Sequence, residues 1–191
     1  MIDHLYSQFC PYSNIGVACL YADYKDQADQ TLTNILGTFL RQLLTAIPEP
    51  IPDEIIQKLD DIHHGGRKVE AEDNLALLKI RLHQLKRAFI CVDAIDELET
   101  KVRRQLLNVL KELVTKSNTC LFLTGRDHVE SEVQKCFTVS QRHKVIISAS
   151  QQAIQEFVRQ QIKDHDLNPE AMDELLAEEI VDTITKKSQG M

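Results

Sequence analysis

Three carboxylates follow a short apolar segment near the middle of the chain. The segment Phe89–Val92 leads directly into Asp93, and Asp96 and Glu97 come within the next four residues. In open parallel sheets, ligands bind beyond the carboxyl ends of the strands, which is where these side chains are expected. Asp93 is suited to hold Mg²⁺ directly or through water, and Asp96 or Glu97 is suited to orient a hydrolytic water. The alternative is structural, because carboxylates also favour the helix N-termini that follow strands.

A second apolar segment, Leu121–Leu123, is followed by Thr124, Gly125 and Arg126. A threonine and an arginine at the same edge of the sheet as the acids predict a site that senses or neutralises a terminal phosphate. The alternative is a surface ion pair between Arg126 and the acids. The sequence contains no G-x-x-x-x-G-K-[ST] motif. The backbone N–H groups and the lysine with which that loop holds nucleotide phosphates are therefore missing.

The cysteines and histidines indicate no metal centre. The five cysteines form no C-x-x-C pair, and their odd number does not suit a complete disulfide framework. Three of them, Cys19, Cys91 and Cys120, lie in apolar segments and are predicted to be reduced, buried thiols. His63 and His64 precede two glycines and are predicted to lie in a solvated turn.

Composition limits the classes of function. The chain has 191 residues, of which 43% are hydrophobic and 27% charged, and this is typical of a globular protein of about one domain. The formal net charge of −7 argues against a partner that is a nucleic acid or an anionic membrane. No apolar run approaches the length of a membrane span. A cytoplasmic protein is expected.

The segments that must position the acids alternate in type. Four short apolar runs are predicted to be strands, at residues 15–21, 88–92, 119–123 and 144–147. Patterns with three- and four-residue spacing lie between the strands and predict helices, and two further helices are predicted at 151–163 and 169–187. This order predicts an α/β fold with a parallel sheet.

Taken in order, these segments resemble a NACHT-type domain of the STAND class of P-loop NTPases. The resemblance is to the form common in fungal NLR-like proteins, which is also similar to the N-terminal domain of nephrocystin-3-like proteins. Residues 22–27 and 30–32 match the block after the second family strand, and residues 91–97 resemble an extended Walker B motif. Residues 123–126 resemble the Thr-Ser-Arg sensor, and residues 146–157 match the strand and helix that follow.

The resemblance implies a three-layer P-loop NTPase-like parallel sheet with flanking helices and a helical C-terminal extension. It places the first strand, with its Walker A loop, upstream of Met1 and therefore outside this chain. Residues 1–166 correspond to a truncated nucleotide-binding core, and residues 167–191 to the start of a truncated helical arm. Gly125 stands where the family usually has serine, and Asp127 where proline is common.

The function implied is that of a fragment of a nucleotide-dependent signalling switch that binds Mg²⁺ with ATP or ADP. Asp93 would hold the metal and, with Thr124 and Arg126, the nucleotide, while Asp96 and Glu97 would be catalytic. Without a Walker A loop the chain is not expected to be an active NTPase by itself. A self-sufficient metal-dependent hydrolase that uses the acid cluster is a further alternative.

A second hypothesis needs no nucleotide. The chain would then be an interaction or decoy protein that pairs with full-length relatives through open sheet edges and exposed helices. In the family, the phosphate-loop strand lies between the third and fourth strands predicted here. Its absence leaves two unpaired apolar edges, so the chain alone is expected to be marginally stable or prone to aggregate.

Overall fold

The structure of the chain is a computed structural model, and it describes residues 14–45, 51–139, 142–164 and 174–188. The chain divides into two compact units, Met1–Arg142 and His143–Met191. The sequence predicts a boundary after residue 166, between a nucleotide-binding core and a helical arm. That boundary falls outside the described residues. It stays a prediction.

The first unit contains three strands and five helices in its described part. The strands are β1 (Ile15–Tyr21), β2 (Arg87–Asp93) and β3 (Thr119–Leu123). Helices α1 (Leu32–Thr45), α2 (Asp53–His64) and α3 (Ala71–Gln84) connect β1 to β2. Helix α4 (Thr100–Lys116) connects β2 to β3, and α5 (Glu130–Cys136) follows. Three short 3₁₀ turns lie at Tyr24–Asp26, Ile95–Glu97 and Asp127–Val129.

The sheet is parallel throughout, with the strands in the order β1-β2-β3. The predicted α/β class and the first three predicted strands are confirmed. Right-handed crossovers place the connecting helices on one face when strand order follows chain order. The larger apolar cluster agrees, because it joins Ala18, Ile90 and Val92 of the sheet to buried residues of α1, α2, α3 and α4. On the other face, Val17, Phe89 and Cys91 form a smaller cluster that contains only strand side chains among the described residues.

The helices form where apolar side chains recur at helical spacing. In α4 the buried residues Leu106, Leu107, Leu110 and Leu113 make one face of the helix. Helix α3 begins with a capping box, in which the backbone N–H of Glu70 donates to Asp73 (2.9 Å). These local signals are strong enough to set the helix positions from sequence.

The prediction of a fourth strand at residues 144–147 is wrong. Residues 142–150 contain neither helix nor strand, and Val145, Ile146 and Ile147 are 79%, 73% and 88% exposed. An apolar, β-branched run favours extended backbone, but a strand also requires a neighbour to which its N–H and C=O groups bond. In the described part of the chain the sheet has the strands β1, β2 and β3, and this run is not one of them.

The second unit contains helices α6 (Gln151–Asp164) and α7 (Glu174–Lys187). The prediction of a helix at 151–163 is confirmed. The prediction at 169–187 is confirmed from Glu174 onwards, and its first residues fall outside the described part. Val158 and Val181 are buried, and Arg159 pairs with Glu178 at 3.2 Å. Beside them lies an open apolar groove of about 660 Å³. None of the described helices has the length and apolar character needed to cross a bilayer.

Candidate functional site at the carboxyl edge of the sheet

The predicted site residues follow the carboxyl ends of β2 and β3. Tyr21 is the register partner of Asp93, and Val92 is the partner of Leu123, so Thr124 comes next to Asp93. The N–H of Thr124 donates to the carbonyl of Val92 (3.0 Å), which extends the ladder to this point. Asp93 therefore lies between Tyr21 and Thr124 in a row across the sheet.

Thr124 holds the end of β2. Its hydroxyl donates a short hydrogen bond to Oδ1 of Asp93, and it accepts one from the N–H of Ala94 (2.8 Å). Ala94 has φ +53°, the only positive φ of a non-glycine residue in the described part of the chain. This conformation is costly for a residue with a Cβ, and it turns the chain sharply after the strand. The carbonyl of Thr124 then accepts from the N–H of Ile95 (2.9 Å).

Arg126 contacts both acids of the 3₁₀ turn Ile95–Glu97, which follows β2. Its Nη2 lies 3.2 Å from Oε1 of Glu97 and its Nε lies 3.5 Å from Oδ2 of Asp96, while its backbone N–H donates to Oδ1 of Asp96 (3.3 Å). The side chain of Asp96 is 5% exposed, whereas that of Arg126 is 76% exposed. The nearly buried carboxylate of Asp96 and the partly exposed carboxylate of Glu97 are thus paired with a cation that faces solvent. This is the geometry of the ion-pair alternative.

Arg103 binds the backbone of the turn Ile95–Glu97 and of Leu98, and it was not among the predicted site residues. It is a buried residue of α4 whose Nη1 donates to the carbonyls of Leu98 (3.0 Å) and Asp96 (3.4 Å). Its Nε pairs with Glu132 of α5 at 3.1 Å, and the hydrogen bond from Arg103 lowers the pKa of Glu132. The available signal was an arginine at residue 103, on the apolar face that continues through Leu106 and Leu107.

Gly125 fits a confined space. A Cβ there would lie 3.0 Å from Cγ2 of Ile95 and 3.2 Å from Cγ2 of Val129. Both neighbours are buried, so neither has room to move away. The packing therefore explains a glycine at the position where the resemblance leads one to expect serine.

The segment after β1 also reaches the site. Asp23 caps the turn Tyr24–Asp26 by accepting from the N–H of Lys25 (2.9 Å). The side-chain amide of Gln27 then donates to the carbonyl of Glu97 (3.0 Å). The block at residues 22–27 and the acidic turn, which are 70 residues apart in sequence, are in direct contact. Gln27 was not among the predicted site residues.

The five predicted residues lie at one edge of the sheet. The three carboxylates among them do not point at one common position. Asp93 is bonded to Thr124, whereas Asp96 and Glu97 are bonded to Arg126. No group of three metal-ligating side chains occurs in the described residues. The oxygens of Asp93 and Thr124 are hard donors, and Mg²⁺ is commonly held by one or two carboxylates together with several waters. The residues present therefore fit a magnesium ion held mainly through Asp93.

The remaining candidates behave as structural residues. The four described cysteines are free, and Cys91 is buried as predicted, while Cys19 and Cys120 are half-buried. Burial, and to a lesser extent Cys19, raises the pKa of the Cys91 thiol to about 11. His63 and His64 are exposed and form the end of α2, with the turn beginning at Gly65.

The family model described as the N-terminal domain of nephrocystin 3 matches residues 1–126 of the chain. This range contains β1, β2, β3 and all five predicted site residues. No curated protein shows significant similarity to the chain. The family match covers 126 of the 191 residues, and the chain therefore belongs to the nephrocystin-3 N-terminal domain family.

Proposed function

We propose that the chain is part of a nucleotide-dependent signalling switch of the NACHT/STAND class, with a P-loop NTPase-like core. Mg²⁺ with ATP or ADP binds at the carboxyl edge of β2 and β3, and β2 ends in the Walker B motif. The proposal rests on two sets of contacts at one edge of the sheet. Thr124 bonds to Asp93, and Arg126 pairs with Asp96 and Glu97. A shared edge is where ligands of open α/β sheets bind.

Each side chain has a distinct task in this proposal. Asp93 has one oxygen held by Thr124, which fixes the carboxylate and leaves Oδ2 for Mg²⁺ and its waters. The metal supplies charge neutralisation at the nucleotide phosphates. Arg126 leaves Asp96 and Glu97 to contact the terminal phosphate, and the two released carboxylates then orient water. The chain lacks a Walker A motif, so turnover is not expected of it alone.

The test is a titration of the full chain with a fluorescent ATP analogue, with and without Mg²⁺. We expect Mg²⁺-dependent binding that Asp93→Asn weakens by about tenfold or more, since a metal-bound carboxylate is replaced by a neutral amide. Asp29→Asn is the matched control, because Asp29 is an exposed aspartate of the turn that follows β1. Binding that is absent, or equally affected by the two substitutions, would contradict the proposal.

A second candidate is a nucleotide-independent interaction or decoy protein that pairs with full-length relatives. It is favoured by the exposed apolar run at Val145–Ile147 and by the open apolar groove between α6 and α7. The discriminating variant is Asp93→Ala in a pull-down with a full-length relative. Retention of the partner by Asp93→Ala, with and without Mg-ATP, supports this candidate, and loss of the partner supports the switch.

We also propose a cytoplasmic location and protein partners rather than nucleic acid or membrane. The free thiols of the described cysteines and the net charge of −7 support this. Fractionation of cells that express the tagged chain tests the location.

A further inference from the structure

Arg103 has every donor of its guanidinium group engaged. The group carries five N–H bonds, one on Nε and two on each Nη. Its acceptors are the two carboxylate oxygens of Glu132 (3.1 and 3.2 Å), the carbonyls of Leu98 (3.0 Å) and Asp96 (3.4 Å), and the hydroxyl of Thr100 (3.4 Å). Asp96 belongs to the turn Ile95–Glu97 and Glu132 belongs to α5, so one side chain joins the two.

Two arginines hold the turn Ile95–Glu97, and they differ in burial. The side chain of Arg103 is 8% exposed, whereas that of Arg126 is 76% exposed. Arg103 binds backbone carbonyls, while Arg126 pairs with the carboxylates of Asp96 and Glu97. An ion pair in contact with solvent contributes little to stability, whereas the loss of one partner of a buried pair is costly. Arg126 can therefore exchange its carboxylates for another anion more readily than Arg103 can leave its carbonyls.

Arg103 also fixes the segment that carries Arg126. Arg126 directly precedes the 3₁₀ turn Asp127–Val129, and Glu132 lies in the first turn of α5, which follows. The pair of Arg103 with Glu132 ties this segment to the carbonyls of the turn Ile95–Glu97. These contacts hold the two backbone segments together without the side chain of Arg126.

We propose that Arg103 is a positioning residue of the nucleotide site. It holds the turn Ile95–Glu97 in place when Arg126 leaves the two carboxylates for the terminal phosphate. The released carboxylates then stay where they can orient water. Arginine suits this task better than lysine, because a planar fork of five donors reaches a carboxylate and two carbonyls at once. The inference rests on the function proposed above and assigns a task to a residue that acts through the turn.

The first test needs no nucleotide. The N–H groups of Glu97 and Leu98 donate to the carbonyls three residues before them (2.9 and 3.3 Å), so their hydrogen exchange reports whether the turn is intact. We expect Arg103→Gln to speed this exchange by about tenfold or more, and Arg126→Gln to leave it within about twofold of the wild type. Equal effects of the two substitutions would overturn the proposal.

A buried arginine elsewhere in the first unit provides the matched control for nucleotide binding. Arg81 of α3 is 3% exposed, and its Nε donates to the carbonyl of Leu43 in α1 (3.2 Å). Arg103→Gln and Arg81→Gln both remove a buried arginine that binds a backbone carbonyl, so both are expected to lower the free energy of unfolding. Circular dichroism first selects a temperature at which every variant is folded.

The titration with Mg²⁺ and the fluorescent ATP analogue then separates position from stability. We expect Arg103→Gln to raise the dissociation constant by about tenfold or more, and Arg81→Gln to leave it within about twofold of the wild type. A residue that only stabilised the fold would give the same dissociation constant as Arg81→Gln at this temperature.

Glu132→Gln is a milder variant that tests the same contacts, because Glu132 reaches the turn through Arg103. We expect it to speed exchange of the turn less than Arg103→Gln does. It should add little when the two are combined, since both break one chain of contacts. Exchange in Glu132→Gln that is no faster than in Arg126→Gln would overturn the proposal, even where Arg103→Gln fails to fold.

The two readouts keep this inference separate from the proposed switch. If the wild-type chain does not bind the nucleotide, the switch is contradicted, and hydrogen exchange alone decides whether Arg103 holds the turn. If the wild type binds but Arg103→Gln and Arg81→Gln have equal dissociation constants, the positioning role is overturned and the switch stands. Faster exchange together with weaker binding in Arg103→Gln supports both.

Discussion

At the scale of single residues, Thr124 links β2, β3 and the turn that follows β2. Its hydroxyl contacts Asp93 and Ala94, and its carbonyl contacts Ile95. Thr124→Val keeps the branched shape but leaves the Asp93 carboxylate and the Ala94 N–H without this partner. We expect the free energy of unfolding to fall by about 1–3 kcal/mol, the usual cost of unsatisfied polar groups at partly buried positions. Urea unfolding followed by circular dichroism measures it.

Thr124→Ser is the control for that prediction, because it retains the hydroxyl and loses only a methyl group. We expect most of the stability to be recovered in Thr124→Ser. Equal losses in the serine and valine variants would show that the methyl group, rather than the hydrogen bonds, accounts for the effect.

Some contacts of the site residues could be predicted from the sequence, and others could not. The positions of Asp93 and Thr124 follow from the ends of two predicted parallel strands, and the structure brings them into contact. The pairing of Arg126 with Asp96 and Glu97 was one of two interpretations, and the choice depends on side-chain geometry. Arg103 was not predicted, because its carboxylate partner Glu132 comes from α5, 29 residues away in sequence.

At the scale of elements, a charged bridge joins α3 to α4. The Glu112 carboxylate lies 2.7 Å from Nζ of Lys116 on its own helix and 2.9 Å from Nζ of Lys79 on α3. The hydrogen bonds, first from Lys116 and then from Lys79, lower the pKa of Glu112 from 4.5 to about 2. The bridge thus favours the ionised form of Glu112 in the folded state.

The lowered pKa makes part of the stability depend on pH. A carboxyl group with a lower pKa in the folded state binds fewer protons there, so its contribution is complete above pH 4.5 and is lost as the pH falls toward about 2. In Glu112→Gln we expect the free energy of unfolding to depend less on pH across this window than in the wild type. Urea titrations at a series of pH values from 6 to about 2 measure the slope.

The control is Glu72→Gln, which changes an exposed glutamate in the first turn of α3. We expect its pH dependence between 4.5 and about 2 to stay close to that of the wild type. If Glu112→Gln and Glu72→Gln change the slope equally, the lysine bridge does not stabilise the fold in a pH-dependent way.

At the scale of the whole molecule, the two units differ in how much apolar surface they bury. Among its described residues, the first unit has a cluster of 22 buried residues, which includes Phe39, Ile90 and Leu110. In the second unit the buried residues of the described part are Val158, Val181 and Thr185. Helices of 14 residues are only marginally stable in water without tertiary packing. The second unit is therefore expected to open more readily than the first.

Hydrogen exchange of the full chain, read by mass spectrometry, tests this difference. We expect amides of α6 and α7 to exchange faster than those of β2 and α4, because local opening is easiest where few apolar contacts are lost. Peptides from the exposed run at 145–147 act as an internal reference for unprotected backbone. Equal protection of α6 and β2 would show that the two units unfold as one.

The sequence by itself determined the α/β class, three of the strands and, in the described part, the positions of the helices other than α5. It also indicated the edge at which Asp93 and Thr124 lie. These features depend on signals within a few residues, such as apolar periodicity and β-branched runs, and on the rule that parallel strands end at a common edge.

Only the tertiary structure decided the partner of each charged side chain and the fate of the fourth predicted strand. Val145–Ile147 has the composition of a strand, but strand formation depends on a neighbour that a local pattern does not reveal. Likewise, the contacts of Arg103 with Glu132 and of Gln27 with Glu97 join segments that are distant in sequence. Hydrogen bonds and ion pairs require specific distances, and only the folded chain sets those distances.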